Sequence, residues 1–185
     1  MTPGQARDWA GVTAMSVPAA GLVPKVEALF DGDAGARGGA EAVLYVQVAN
    51  QGQLYSAAAP CVDLIAELAR ERGRATAEAV SVLEAVLNAR TPGLTVTVGG
   101  AAVDAAGYCR RRILELLPLL LDGAAGAEPR YLRELFFLLP QLADSAPGIL
   151  GFLREREPGL DGEALTWCRE ALEEAADVLR DGHMP

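Results

Sequence analysis

The chain has 185 residues and a mass of 19.3 kDa, enough for one domain that buries roughly 70% of its unfolded surface without disulfides or metals. Hydrophobic residues make up 51% and charged residues 22%, a soluble balance that argues against intrinsic disorder. With 16 basic residues against 25 acidic ones the formal charge is -9, so the attraction to phosphate that drives nucleic-acid affinity is missing and no nucleic-acid partner is expected.

Other classes are excluded on local grounds. The longest apolar run, Ile113 to Leu121, is broken by Glu115, whereas a bilayer span needs about 18 or more uninterrupted apolar residues, so no membrane partner is expected. Met1 to Gln5 lacks the basic start of a secretory signal, and Cys61, Cys109 and Cys168 are odd in number and far apart. Both features point to the cytoplasm and to reduced thiols. The sole histidine, His183, lies two residues from the end, which leaves no oriented imidazole for catalysis and no metal site. No cofactor is expected.

In chain order, residues 1–17 read as an N-terminal extension with a helix centred on Trp9. Ala20 to Phe30 and Ala40 to Asn50 read as two short helices around a glycine-rich turn, Asp31 to Gly39. That turn lacks the lysine ending of a P-loop and the spaced oxygens of an EF-hand. From Ala57 to Glu71, Cys61, Leu64, Ile65 and Leu68 follow helical spacing, with Ser56 as cap, Pro60 in the first turn and Gly73 at the end. Thr76 caps the next helix, whose buried stripe is Ala79, Val80, Leu83, Val86 and Leu87, and whose exposed stripe is Glu78, Ser81, Glu84 and Asn88. Pro92 and Gly93 stop it.

The insertion from Thr91 to Gly107 contains Leu94, Val96 and Val98 alternating with Thr95 and Thr97, a short extended segment ending at Gly99-Gly100. A helix from about Arg110 is apolar almost all round from Ile113 to Leu121, which marks the centre of the core. Pro129 opens a helix with Leu132, Leu135, Phe136, Leu139 and Leu142 inward and a bend at Pro140. A short helix follows, capped by Ser145, with Pro147 in its first turn and Ile149, Leu150 and Leu153 as its apolar face. The last helix runs from Asp161 to Arg180 and buries Leu165, Cys168, Leu172, Ala175, Ala176 and Leu179. Residues 181–185 form a tail.

These helices pair. First members start near positions 20, 57, 110 and 147, with the insertion in the one long step, and a helical hairpin recurring at this interval is the signature of an α-solenoid. Gly52-Gln53-Leu54-Tyr55-Ser56-Ala57-Ala58-Ala59-Pro60 ahead of Leu64 and Leu68, and Leu114-Glu115-Leu116-Leu117-Pro118-Leu119-Leu120-Leu121-Asp122 with its terminal aspartate, resemble segments of bacterial HEAT-like repeat proteins. The resemblance covers roughly residues 20–180. The Asp-x-x-Val-Arg turn usual in such repeats is loosened here, since Gly123 to Glu128 separate Asp122 from Arg130. What the resemblance implies is an all-α fold, a right-handed superhelix of about four hairpins forming one domain over residues 1–185. The family includes inhibitors encoded beside toxins, assembly scaffolds, chromophore lyases and DNA glycosylases, so fold alone does not choose a function.

Cys109, followed by Arg110, Arg111 and Arg112, is the one thiol whose surroundings could lower its pKa. The alternative is that all three cysteines are small packed residues. The more informative set lies on the second helix of each pair: Glu84 and Asn88, then Arg130, Arg133, Glu134, Phe137 and Gln141, then Trp167, Glu170, Glu173, Glu174 and Asp177. From Asp161 to Asp181 seven acids face two arginines. Aromatics among charges can anchor an interface while the acids steer a basic partner. The expectation is therefore a non-catalytic protein-binding module, most concretely an immunity-type inhibitor of a basic toxin, existing as a monomer or weak homo-oligomer. The competing expectation is a small-molecule binder or enzyme, with Tyr108, Cys109 and the 91–107 insertion closing over a groove.

Overall fold

The computed structural model describes residue 9 and residues 11–181, the last without its side chain. Eight helices account for most of it: α1 (Val23–Asp31), α2 (Ala34–Val48), α3 (Ala58–Arg72), α4 (Ala77–Asn88), α5 (Ala105–Asp122), α6 (Pro129–Leu138), α7 (Gly148–Arg156) and α8 (Gly162–Asp181). Two small antiparallel hairpins interrupt them. One is β1 (Ala49–Asn50) with β2 (Gln53–Leu54), the other β3 (Thr95–Val98) with β4 (Ala101–Asp104). The mainly helical expectation holds.

Several elements form for the reasons their residues suggest. Gly73 takes the left-handed conformation at φ 65° and closes α3, and the Thr76 hydroxyl accepts the Ala79 N–H at 3.2 Å to start α4. Pro140 cannot continue an α-helix, and α6 tightens there into a 3-10 turn over Leu139–Leu142. Gly99 and Gly100 both have positive φ, the geometry of a two-residue hairpin turn, so the expected extended segment gains a partner strand in Ala101–Asp104.

Other expectations change. The glycine-rich segment is not a turn: Asp33 caps α2 by accepting the Ala36 N–H at 2.8 Å, and the helix runs through Gly35, Gly38 and Gly39. Ser56 does not cap α3. Its hydroxyl accepts the Thr13 N–H at 2.7 Å, which ties an irregular strap over residues 11–18 to the start of α3. That strap is bridged from Thr13 to Pro18, so the helix expected around Trp9 is absent from it, and residues 1–8 and 10 lie outside the described set. Ser145 precedes α7 without capping it, and Pro147 stands at the cap position.

The odd-numbered helices begin at Val23, Ala58, Ala105 and Gly148, giving steps of 35, 47 and 43 residues. The long middle step holds the β3–β4 hairpin, and the last holds the Gly123–Glu128 connection and the Leu139–Leu142 turn. Packing follows parity. α1, α3 and α5 lie against one another in succession, and so do α2, α4, α6 and α8, while α7 lies on α8. α4 and α6 share the most extensive contact, and Leu83 of α4 and Leu135 and Phe136 of α6 are fully buried. The layer of even-numbered helices carries the residues described next.

Candidate protein-binding face

α4 is covered by α2 on one side and α6 on the other, and this decides the fate of its polar residues. Glu78, expected at the surface, is 3% exposed. Its carboxylate accepts from Arg130 of α6 at 3.0 Å and lies 3.3 Å from Nε of Arg37 of α2, an ion pair without hydrogen-bond alignment. Arg130 also reaches Glu41 of α2 at 2.5 Å. One charged seam thus joins three second helices. The signal for it was in α4 itself, which is apolar on nearly every side and so leaves Glu78 no solvent face.

A second cluster lies further along α4 and α6. Gln141 donates its side-chain amide to Glu84 at 3.2 Å and to the Phe137 carbonyl at 3.3 Å, while Asn88 donates to the same Glu84 carboxylate. Arg133 lies over the Phe137 ring, 5.4 Å from its centroid, and pairs with Glu134 at 3.5 Å. Burial pushes the Glu84 carboxyl above its ordinary 4.5, and the negative charges of Glu134 and Glu174 push it further, against the hydrogen bonds from Gln141 and Asn88. Glu134, itself buried, is raised first by desolvation, with Arg133 opposing. Glu84 of α4 therefore feels the carboxylates of α6 and α8, and among the described residues it has only neutral hydrogen-bond partners.

The expected site residues divide here. Glu84, Asn88, Arg133, Glu134, Phe137 and Glu174 gather along the α4–α6–α8 seam. Glu170 and Trp167 share the Glu174 side of α8 by i, i+3, i+7 spacing, but Trp167 is half-buried against the core rather than projecting as an anchor. The buried stripe of α8 centres on Cys168, Ala171 and Ala175, a rotation from the expected one that leaves Leu165, Leu172, Ala176 and Leu179 half-covered. Glu173 and Asp177 diverge from the seam. They line a separate depression with Arg154 of α7, and Asp177 pairs with Arg180 at 2.9 Å.

The raised carboxyl of Glu84 has a stability consequence with a definite sign. A carboxyl that holds its proton more tightly folded than unfolded favours folding below the ordinary carboxylate range, and that contribution is lost as pH rises through the raised value. In its ionised form Glu84 is a charge held in place against its surroundings. Glu84→Gln should therefore raise the melting temperature at pH 7, and the gain should vanish once the pH falls below 4.5. Thermal unfolding at the two pH values reads both halves.

At the 91–107 insertion there is a cavity of about 480 Å³ lined by Arg90, Thr91, Pro92, Asp104, Ala106, Gly107 and Arg110. Its polar groups are already engaged. Thr91 bonds the Leu54 backbone in both directions, Asp104 caps α5 at 2.6 Å from the Gly107 N–H, Arg90 donates to the Leu87 and Ala89 carbonyls, and Arg110 donates to the Gln141 carbonyl at 2.6 Å and to Asp144. Tyr108 donates to Asp63 at 2.7 Å, a carboxylate that also receives Arg112 at 2.6 Å. Cys109 is 1% exposed, and burial, aided by Asp63 and Asp104, pushes its thiol up to about 12. The three arginines do not lower it, and Cys109 packs as a buried residue.

No helix among the described residues is long and apolar enough to cross a membrane. Comparison with protein-family models, with curated proteins and with solved structures returned no match.

Proposed function

We propose that the chain is a non-catalytic protein-binding module, a right-handed superhelix of HEAT-like hairpins that docks a basic partner on the α4–α6–α8 face. Serial packing of the even-numbered helices supports the architecture. The observation that carries the function is Glu84, a carboxylate held among Glu134 and Glu174 with only Gln141 and Asn88 as hydrogen-bond partners among the described residues. Uncompensated like charge in a partly dry seam is unfavourable for the free chain and favourable once a cation arrives. Phe137, with Arg133 over its ring, supplies an apolar wall beside it. In its most concrete form the module is an immunity-type inhibitor whose acidic face occludes the phosphate-binding surface of a basic toxin.

Association with a basic nuclease as the probe tests this. Reversing Glu84, Glu170 and Glu174 to lysine should slow association about tenfold at low salt, and the difference should shrink as salt rises. Reversing Glu71, Asp122 and Glu155, which are exposed on the odd-numbered side, changes the net charge equally and should leave most of the rate intact. Equal slowing by both triples would assign the effect to the overall field and remove the face from the account.

A further inference from the structure

Four of the five large hydrophobic side chains that stand exposed among the described residues lie together. Tyr45 and Val46 are near the end of α2, and Met15 and Val17 are in the strap that Gln47 holds to that end, its side-chain oxygen accepting the Ser16 and Val17 N–H groups at 2.9 and 3.2 Å. Val46 also completes a stripe of α2 with Gly35, Gly39 and Ala42, spaced i, i+4, i+7, i+11 and all exposed. Arg37 and Glu41, the charged residues of this helix, are engaged on its other side with Glu78 and Arg130. Among the described residues, the outer face of α2 therefore bears no charge beyond its Asp33 cap.

Its position makes that unusual. α2 ends the series α2, α4, α6, α8, and the helix at the opposite end, α8, exposes Glu170, Glu173, Glu174, Asp177 and Arg180. End members of a stacked array need a polar outer side to remain in water. α8 meets that need and α2 does not. Nor does the fold explain the glycines. A Cβ on Gly38 or Gly39 would meet nothing within 4 Å, and one on Gly35 only the Asp33 carboxylate at 3.4 Å, yet glycine weakens a helix interior. A stripe without side chains is useful where another helix approaches closely.

We infer that this face of α2 receives a second copy of the chain, α2 against α2 about a two-fold axis, so that the series of even-numbered helices continues from one protomer into its partner. A shallow, uncharged stripe is complementary to itself under such symmetry, whereas a basic partner finds no countercharge on it. A 15-residue helix is about 22 Å long, so two such faces with their straps cover roughly 900 Å², at the small end of specific interfaces. The dimer is accordingly weak. Because each copy carries -9, repulsion opposes it and added salt strengthens it, the reverse of docking on the α4–α6–α8 face.

Sedimentation of the full chain from about 10 to about 500 µM, at about 50 and about 500 mM salt, tests the inference. The average mass should climb from 19.3 kDa toward twice that value, with several-fold tighter association at the higher salt. Gly39→Glu, whose Cβ would meet nothing within 4 Å, should weaken association at least tenfold without altering the helical circular dichroism, and Val46→Glu should do the same. A mass fixed at that of one chain over the whole range overturns the inference. So does association that survives both substitutions.

Discussion

Phe136→Ala is expected to lower the unfolding free energy by about 3–5 kcal/mol, because it removes a fully buried ring and leaves a cavity that rigid neighbours only partly fill. For a domain whose total stability is about 5–15 kcal/mol, that is a large fraction. The ring belongs to α6, the helix that shares with α4 the most extensive contact between any two helices among the described residues. Phe137, one residue on and a quarter-turn away, is half-exposed beneath Arg133. Phe137→Ala should cost less than about 1.5 kcal/mol of stability and act mainly on partner affinity. Urea unfolding of the two variants separates the roles of adjacent aromatics, and equal losses would mean that Phe137 is as much a core residue as Phe136.

How much of this was legible follows from what each signal depends on. Periodicity over α3 placed Cys61, Leu64, Ile65 and Leu68 correctly, all buried, because an amphipathic helix advertises its face through spacing alone. Gly73, Thr76 and Pro140 likewise act through their own backbone chemistry. The glycine-rich start of α2 was not legible, since local propensity predicts a turn and the helix is held instead by the Asp33 cap and by Arg37 and Glu41 reaching other helices. β4, Ala101-Ala102-Val103-Asp104, has little strand propensity and is defined by pairing across the glycine turn. In the candidate site, Glu84, Glu134 and Phe137 were visible as a stripe. That Glu173 and Asp177 leave the seam depends on the rotation of α8, which its abundant alanines specify weakly.

Glu78 was the residue most misjudged by spacing, and it carries the second large effect. Glu78→Ala is expected to cost about 2–4 kcal/mol, because removing one member of a buried ion pair leaves its partners facing a place that no longer answers their charge. The lower part of that range is set by Arg37 and Arg130, whose side chains are 29% and 44% exposed and can turn toward water. Position adds to the effect: Glu78 lies in the first turn of α4, where a negative charge also meets the positive end of the helix dipole. Glu78→Gln keeps the shape and one acceptor for Arg130, so it should recover part of the loss, whereas Glu78→Met, apolar and of similar length, should not. A double-mutant cycle with Arg130→Ala should give a coupling of about 1–2 kcal/mol. Because the seam through Glu41, Arg130 and Glu78 holds α6 beside α4, its loss should also disturb the spacing of Glu84 and Glu134. Glu78→Ala should then slow association with a basic partner, although Glu78 is too deeply buried to touch it. If Glu78→Ala proves neutral in denaturant unfolding, the ion pairs drawn across these three helices do not define their register.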